Sequence, residues 1–342
     1  MYTLDMITEI LESIKGSNVT DIHLTAGAVP AARIDGKLTY ISGFRAVRPD
    51  DLENIVNQML NDEHRSTLAE KHYVCATVVL EHVGRIRANI FQQRGSYAIN
   101  IKILDQSLKT PEELGIPQVV MDLHQKESGL ILICGDKDSG KTTTVTSLIR
   151  KISASRECQI ITIENPIEYL HKHDKAIVNQ KEVGIDVNSF EEGMLSAMNQ
   201  DADVIMTSYA GDSGMFSAIL SAAENGHLVI TSLQTTNSVS TIDYILSMFP
   251  EERREHVRIV LSNVLQAIVC QKLIPGIDGK SSKLAVEVML ANQAAKNLIL
   301  ENKIHQIPTL IKVSKSLGMV TMEDSIRELY DKGEIDKSWL NT

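Results

Sequence analysis

The sequence predicts an α/β protein in which a small α+β domain precedes a domain built around parallel strands. Short strands and helices fill the first third of the chain, whereas strands alternate with helices from residue 129 onward. Such alternation is typical of a parallel sheet, because parallel neighbours must be joined by a crossover, usually a helix. We therefore expect a first domain over residues 1–104, a linker over 105–117 and a second domain over 118–342.

The composition limits the class of protein and its partners. The 342 residues are 43% hydrophobic, which is enough for two separate cores, and they carry a net charge of -10. Proteins that bind nucleic acids neutralise phosphates with clustered Lys and Arg, so we expect no nucleic-acid partner. The N-terminal segment lacks the continuous apolar core of a signal peptide, and no stretch approaches the ~20 apolar residues that span a bilayer. The sequence therefore predicts a cytoplasmic protein, although it could dock on a membrane-bound partner.

The four cysteines are far apart in the sequence and form no CxxC pair. They are Cys75, Cys134, Cys158 and Cys270. Because a structural zinc site needs closely spaced ligand pairs, this spacing indicates buried, reduced cysteines of a cytosolic protein instead.

The elements of the first domain follow from local periodicity. An apolar stripe at helical spacing predicts a first helix that Gly16 ends. The stripe consists of Leu4, Ile7, Leu11 and Ile14. Residues 21–25 alternate like a strand, and residues 31–41 predict a hairpin that turns at Asp35 and Gly36. A helix is expected over residues 50–70, with strands around 73–80, 84–92 and 97–104.

The second domain begins with an apolar run at residues 130–134, which predicts a strand, followed by a glycine-rich loop and a helix through Lys151. Three further strands are expected at residues 159–163, 203–206 and 228–233. A helix between the last two ends at Asn225 and Gly226, and another begins after Pro250. The apolar stripe of this later helix consists of Val257, Val260, Leu261, Val264, Leu265 and Ile268.

The glycine-rich loop carries the motif with the clearest chemistry. Residues 135–142 read GDKDSGKT and fit the pattern GxxxxGK[ST], between an apolar strand and a helix. In that arrangement backbone N–H groups wrap phosphates, the lysine reaches the terminal phosphates and the following hydroxyl coordinates magnesium. We therefore expect ATP and Mg²⁺ as cofactors, with Thr142 as the magnesium ligand. The expected nucleotide-binding residues are Gly135, Ser139, Gly140, Lys141, Thr142 and Thr143.

Two acidic residues make this loop unusual. Asp136 and Asp138 lie where anionic phosphates must approach, and Lys137 offsets their charge only in part. Two like charges about 4 Å apart repel by about 4 kcal/mol at an effective dielectric constant near 20, but far less where water and salt screen them. Two interpretations stay open: the pair faces solvent and is tolerated, or it weakens the affinity for nucleotide.

Further segments carry a family resemblance that runs nearly end to end. Residues 19–27 (VTDIHLTAG) look like an N-terminal signature, and residues 85–98 (RIRANIFQQRGSYA) like an interdomain strand. Residues 161–171 (ITIENPIEYLH) and 225–238 (NGHLVITSLQTTNS) are similar to an acidic "Asp box" and a "His box". Residues 316–326 match a C-terminal helical region. Together they resemble the secretion ATPase superfamily and, within it, the PilT type of type IV pilus retraction (twitching motility) ATPases.

The resemblance implies a fold, an assembly and a location. The implied fold is a PAS-like N-terminal domain, then a RecA-like P-loop domain with C-terminal helices. The implied assembly is a homo-hexamer, or a mixed ring with a paralogous motor ATPase, at the cytoplasmic face of the inner membrane on a platform protein of the pilus machine. In such a ring, arginines of the N-terminal domain complete the neighbour's nucleotide site. The matching residues are Arg85, Arg87 and Arg94, whereas a further arginine of the family is Lys102 here.

The resemblance also implies which residues do the chemistry. The Asp box keeps Glu164 and Glu168, and the His box keeps His227, so these three are expected catalytic residues. Two other positions of these boxes are changed, because Asn165 replaces an aspartate and Gln234 replaces the second histidine. A glutamine can still donate hydrogen bonds in place of a histidine, so Gln234 is the milder change.

The most damaging departure follows the Walker B strand of the family. A glycine–glutamate pair is Ser208 and Tyr209 here, and the arginine that follows is Gly211. A phenol with a pKa of about 10 neither holds magnesium nor polarises water well at neutral pH. Lys296 and Leu300 likewise replace arginines of a C-terminal motif. The chain is therefore expected to be a divergent member with degenerate catalytic motifs.

Three functions are compatible with these residues. We expect a ring subunit that binds ATP, hydrolyses it poorly, and acts structurally or on an active paralogue. The alternative is an active motor, in which Glu164 is the main carboxylate and ATP hydrolysis drives pilus retraction. The third, a metabolic P-loop kinase, lacks a recognisable lid or substrate motif. His171 and His173 do not alter this choice, because their spacing, with no thiol that converges on them, favours a solvated loop over a metal site.

Overall fold

The chain divides into two units in the computed structural model, Met1–Ser107 and Leu108–Thr342. The structure describes residues 2–14, 19–34, 37–80, 84–103, 109–279 and 281–341. The helix stop expected at Gly16, the turn expected at Asp35 and Gly36, and the first residues of the expected linker lie outside these ranges. No helix within them is long and apolar enough to cross a bilayer.

The first unit has a six-stranded antiparallel sheet with helices packed against it. The helices of its described part are α1 (Asp5–Ser13), α2 (Pro49–Met59) and α3 (Asp62–Lys71). Its strands are β1 (Val19–Thr25), β2 (Ala31–Ile34), β3 (Lys37–Tyr40), β4 (Tyr73–Leu80), β5 (Gly84–Gln93) and β6 (Ser96–Ile103). The strand order is β3-β2-β1-β6-β5-β4, and each neighbouring pair is antiparallel. Ile7 of α1 and Leu52 of α2 share one core with Ile99 of the sheet.

The expected helix over residues 50–70 is two helices. The Asn61 side chain accepts a hydrogen bond from the His64 N–H at 2.8 Å and caps α3. Asparagine is a favoured helix N-cap, because its side-chain oxygen satisfies one of the free N–H groups of the first turn. The chain therefore leaves the first helix at Leu60 and starts a second one.

The second unit contains the remaining strands and helices. Its strands are β7 (Gly129–Gly135), β8 (Gln159–Glu164), β9 (Ile177–Glu182), β10 (Val204–Thr207), β11 (Leu228–Leu233), β12 (Leu265–Pro275) and β13 (Ser282–Leu290). Its α-helices are α4 (Gln118–Met121), α5 (Lys141–Ser155), α6 (Phe190–Met198), α7 (Ser213–Glu224), α8 (Ser238–Ser247), α9 (Glu251–Val264), α10 (Gln293–Leu300), α11 (Ile307–Val313) and α12 (Met322–Asp331). Short 3-10 helices lie at Asp122–Gln125, Ile304–Gln306, Lys315–Leu317 and Lys337–Asn341.

The sheet of the second unit is parallel apart from its outermost strand. Its strand order is β13-β12-β7-β11-β10-β8-β9, and only β13 pairs antiparallel to its neighbour. Every residue of β7 is buried, as expected for a strand with helices on both faces. The carboxyl ends of the parallel strands lie along one edge, here called the carboxyl edge, where ligands bind in open α/β sheets. The predicted fold class is confirmed.

The expected helix over residues 257–268 is wrong after Val264. α9 ends there, and Leu265 and Ile268 belong to β12, which lies between β7 and β13. A buried helix end and a central strand both read as continuous apolar sequence, and no glycine or proline separates them here.

Candidate functional site

The glycine-rich loop lies between β7 and α5 at the carboxyl edge. Gly135 has φ 147° and Gly140 has φ 87°, which are backbone conformations that other residues rarely adopt. A Cβ atom on Gly135 would overlap both the Ser139 hydroxyl and the carbonyl oxygen of Gln271. The tight closure of the loop against β12 therefore requires glycine at this position.

The loop presents donors that fit a phosphate group. The first N–H groups of a helix have no intrahelical acceptor, and the helix dipole adds partial positive charge, so the start of α5 attracts anions. The Ser139 hydroxyl is buried, and no described residue forms a hydrogen bond with it. The Lys141 ammonium donates to the carbonyl oxygens of Gly135 at 2.8 Å and Asp136 at 2.6 Å. Thr142 is exposed in the first turn of α5, whereas Thr143 is half-buried, so Thr142 has the more accessible hydroxyl.

Asp136 and Asp138 are exposed at the tip of this loop. Asp138 has φ 63°, in the left-handed region that glycine adopts freely and aspartate tolerates better than most residues. Burial lowers the pKa of Lys141, and the nearby charges of Asp136 and Asp138 act in the opposite direction. Water screens the two carboxylates from each other, yet their charge still reaches the amine that a phosphate would approach.

Glu164 ends β8 at the same edge and is only 4% exposed. Its carboxylate accepts hydrogen bonds from the Thr162 hydroxyl at 2.6 Å and from the Gln180 amide at 3.1 Å. Burial raises the pKa of Glu164, and these two donors offset only part of that rise. The charge of Glu168 raises the same pKa further, while the Glu168 N–H donates to the Glu164 carboxylate. A buried carboxyl group with a raised pKa is typical of a general base.

Tyr209 follows β10, and its ring packs toward α6. The ring centroids of Tyr209 and Phe190 are 5.2 Å apart, at an interplanar angle of 31°. A Cβ atom on Gly211 would lie 2.5 Å from the Tyr209 ring, so this ring fills the space beside residue 211. Partial burial and the charge of Asp212 raise the pKa of Tyr209 above its usual value. A phenol is neutral at neutral pH even without this rise. Tyr209 and Gly211 are therefore structurally linked substitutions.

The two positions of the His box lie at opposite edges of the sheet. Gln234 follows β11 at the carboxyl edge and is exposed. His227 precedes β11, and its Nδ1 lies 2.6 Å from the carbonyl oxygen of Ala202. The His227 carbonyl accepts a hydrogen bond from the Gly129 N–H at the start of β7, so a strand length of roughly 20 Å separates His227 from the loop. The structure does not bring His227 together with Glu164, and it gives this expected catalytic residue a structural contact instead.

The three expected ring arginines belong to the first unit. The Nε of Arg87 on β5 donates to the Sγ of Cys75 at 3.1 Å. Arg94 is exposed in the turn between β5 and β6, with φ 47°. Roughly 20 Å of extended strand separates Arg87 from Arg94, so the two side chains of one molecule do not converge on one phosphate. The side chain of Arg85 lies outside the described part of the chain.

His171 and His173 have different surroundings. His173 is exposed, and its Nδ1 accepts a hydrogen bond from the Val178 N–H at 3.1 Å, as expected for a solvated loop. His171 is half-buried, and neither of its ring nitrogens has a partner among the described residues. Burial lowers the pKa of His171 to about 4, and the charge of Arg150 contributes, so the solvated-loop prediction is wrong for His171. In the described part of the chain, no three His, Cys, Asp or Glu side chains are grouped as a metal site.

Two glutamines at the carboxyl edge carry no prediction from the sequence. Gln180 bonds to Glu164 and also donates to the Tyr169 carbonyl at 2.8 Å, which orients its amide. The Gln271 amide on β12 donates to the Thr144 hydroxyl at 2.9 Å, and its buried oxygen has no partner among the described residues. A glutamine inside an apolar strand, as at Gln271, is unusual enough to serve as a sequence signal.

Comparisons with known proteins agree with this geometry. The family described as "Type II/IV secretion system protein" matches residues 92–331. The type IV pilus retraction ATPase PilT of Pseudomonas aeruginosa is 34% identical over 97% of this chain and 96% of its own length. The type IV pilus ATPase PilU of the same organism is 31% identical over 92% of this chain and 82% of its own length.

A solved structure gives the same result. The crystal structure of the pilus retraction motor PilT with bound ADP matches with a TM-score of 0.91 and 39% identity, covering 99% of this chain and 95% of that one. The family match, the full-length relatives and this shared fold agree with the resemblance carried by the loop and the two boxes. The chain therefore belongs to the type II/IV secretion system protein family and, within it, to the PilT type of type IV pilus retraction ATPases.

Proposed function

We propose that this chain is a subunit of a ring-shaped pilus retraction motor that binds ATP through its glycine-rich loop and hydrolyses it poorly. The PilT structure with bound ADP supports nucleotide binding by this chain. The buried Ser139 hydroxyl, which has no partner among the described residues, and the Lys141 ammonium supply donors for phosphate oxygens. The Thr142 hydroxyl would hold Mg²⁺, which neutralises charge on the phosphates when bound.

The direction of the Tyr209 ring carries the proposal of poor hydrolysis. Its contact with Phe190 and its position over Gly211 support a fixed, neutral phenol at the residue where the resemblance implies a carboxylate. The loss of a positioned acid–base group typically costs about 10²–10⁴ in rate. Glu164 is retained, but the hydrogen bonds from Thr162 and Gln180 already engage its carboxylate.

A ring subunit with weak hydrolysis has a role beside an active partner. Pseudomonas aeruginosa has both PilT and PilU, and each aligns with this chain over most of its length. That pairing supports a mixed ring, or a ring stacked on a competent one, as an alternative to a homo-hexamer. In either arrangement Arg85, Arg87 and Arg94 would face the neighbouring subunit, where Arg87 and Arg94 would contact different parts of its nucleotide site because roughly 20 Å of strand separates them. The ring would dock on an inner-membrane platform protein of the pilus machine.

A magnesium-dependent ATPase assay on the purified full-length chain tests this proposal. We expect turnover close to that of Lys141→Ala, which serves as the baseline. The double substitution Tyr209→Glu with Gly211→Arg should raise turnover, by up to about 10²–10⁴ if the missing carboxylate is the main defect. Turnover comparable to that of ordinary motors, abolished by Lys141→Ala, would contradict the proposal.

The second candidate function is a fully active motor, which Glu164 favours. Its burial and raised pKa are typical of a general base at neutral pH. Under this alternative, Glu164→Gln abolishes a substantial turnover and Tyr209→Glu changes it little. The same assay therefore separates the two functions.

A further inference from the structure

Two cysteines lie side by side beneath the glycine-rich loop. Cys134 on β7 pairs with Cys270 on β12 in the parallel register, one residue before Gly135 and Gln271 respectively. Residues paired in this way point to the same face of a sheet, and both side chains belong to one apolar core. Both residues are 0% exposed, and both are free thiols.

The spacing of these cysteines suits a disulfide bond. Adjacent strands lie about 4.8 Å apart, and disulfides join residues whose Cα atoms are usually about 4.4–6.8 Å apart. The register of β7 and β12 sets Cys134 directly opposite Cys270. A small approach of the two strand ends is enough to bring the sulfur atoms to bonding distance.

The two thiols differ in acidity. Burial opposes ionisation of Cys134, but hydrogen bonds from Cys270, Thr235 and Thr241, together with the charge of Lys141, lower its pKa below the usual value. The Thr241 hydroxyl lies 3.6 Å from the Cys134 sulfur. The hydrogen bond to Cys134, with burial, raises the pKa of Cys270. Cys134 is therefore the more readily ionised of the two thiols, and Cys270 lies where a resolving cysteine is needed.

We propose that Cys134 and Cys270 form a redox-active dithiol, which hydrogen peroxide oxidises to a disulfide that links β7 to β12. The Cys134 thiolate attacks one peroxide oxygen, the O–O bond breaks, and a sulfenic acid and hydroxide form. The Cys270 sulfur then attacks the Cys134 sulfur and displaces a second hydroxide, which forms the S–S bond. The two hydroxides take up the two thiol protons, so two thiols and one peroxide give one disulfide and two waters.

The position of the pair beside the loop gives the disulfide a consequence. Only Gly135 separates Cys134 in sequence from the exposed loop tip at residues 136–138. A disulfide draws the two Cβ atoms to about 3.8 Å, closer than the strand spacing of about 4.8 Å. The strand ends must shift where Gly135 already packs on the Gln271 carbonyl, so the loop changes shape. Weaker nucleotide binding on oxidation follows, and this consequence rests on the proposed function.

Mass spectrometry of the full-length chain tests the dithiol directly. Peroxide-treated protein is alkylated and digested without reductant, and we expect one linked peptide pair that contains Cys134 and Cys270 and that dithiothreitol separates. Cys270→Ala should trap the Cys134 sulfenic acid, which dimedone labels, and Cys270→Ser is the second variant if the alanine variant melts early. The control with Cys75→Ala and Cys158→Ala should keep the link. Alkylated thiols at both positions, or a link that involves Cys75 or Cys158, would overturn the proposal.

The consequence for the loop has its own measurement. Affinity for a fluorescent non-hydrolysable ATP analogue should fall about 5-fold or more on oxidation, recover with dithiothreitol, and stay constant in Cys270→Ala. Unchanged affinity in the disulfide-linked protein would overturn this regulatory effect. If the reduced chain binds no nucleotide, the proposed function fails, and the linked peptide still decides the dithiol.

Discussion

The glycine-rich loop and the segment from Thr207 to Asp212 both leave the carboxyl edge of one sheet, yet they tolerate substitution very differently. In the loop, binding under the proposed function rests on backbone N–H groups and on the tight closure at Gly135, so Asp136 and Asp138 alter the charge of the loop more than its shape. In the second segment Tyr209 stands where the family resemblance implies a carboxylate. Under the proposed function, the site made by the backbone keeps its binding, whereas the site made by one side chain loses its activity.

The largest effect is expected from the lysine of the loop. Lys141→Ala should weaken binding of a non-hydrolysable ATP analogue at least tenfold, about 1.4 kcal/mol, because it removes a charged donor beside the phosphates. Isothermal titration calorimetry on the full-length chain measures this affinity.

Lys137→Ala provides the matched control, because Lys137 has the same charge and lies exposed at the tip of the same loop. We expect a much smaller loss for it, since exposed charges are screened. Equal losses in the two variants would mean that net charge, and not the position of the Lys141 amine, sets the affinity.

A smaller effect is expected where Tyr209 and Gly211 meet. Gly211→Ala should force the ring away from Phe190 and cost about 0.5–1.5 kcal/mol, the value of an aromatic pair. In a Tyr209→Ala background the same substitution should cost almost nothing, because the space is then open. Urea unfolding followed by the fluorescence of Trp339, the single tryptophan, reports on the second unit.

Equal costs of Gly211→Ala in both backgrounds would contradict the linkage of the two positions. Such a result would also remove the reason for changing Tyr209 and Gly211 together in the ATPase assay. A double-mutant cycle over the two positions gives the coupling energy directly.

The sequence predicts the loop well because glycine spacing encodes backbone shape. A preceding apolar run and a following helical pattern are enough to predict the loop positions of Gly135, Gly140 and Lys141. Much of the rest of the carboxyl edge could not be predicted from local sequence patterns. The contact of Gln180 with Glu164 and that of Phe190 with Tyr209 depend on how β9 and α6 pack, and no local pattern encodes such packing.

The predictions from sequence are wrong where one local pattern fits two different structures. The apolar positions from Val257 to Ile268 fit a helix, but the chain changes to β12 at Leu265 with no turn residue to mark the change. His227 has the family's residue type, yet only the direction of β11 shows that it lies at the edge opposite the loop. Motifs identify candidate functional residues, and the topology of the fold decides which of them lie close together.

A few-fold effect is expected from Asp138, which carries both strain and charge. Asp138→Gly should stabilise the second unit by about 0.5–1 kcal/mol, because φ 63° suits glycine. It should also strengthen nucleotide binding by up to about fivefold, since one exposed charge contributes at most about 1 kcal/mol.

Asp138→Asn separates strain from charge, because asparagine tolerates the left-handed region and has no charge. It should improve affinity without the gain in stability, and Asp136→Asn should resemble it. If neither asparagine variant improves affinity, the acidic tip is a tolerated solvent-facing pair and strain alone explains any gain from glycine.

The smallest effect on nucleotide binding is expected at His227. This residue lies at the end of the sheet opposite the loop, so it tests whether distance from the loop decides which residues affect binding. His227→Ala removes the hydrogen bond to the Ala202 carbonyl and should lower the free energy of unfolding by about 1 kcal/mol, with affinity unchanged. Gln234→Ala should do the reverse, because Gln234 is exposed at the carboxyl edge. In this variant the affinity for nucleotide or the ATPase turnover should change, whereas the urea midpoint of unfolding should not. A loss of affinity in His227→Ala at unchanged stability would show that this histidine reaches a nucleotide after all. Since roughly 20 Å separates it from the loop of its own chain, that nucleotide would have to belong to a neighbouring subunit.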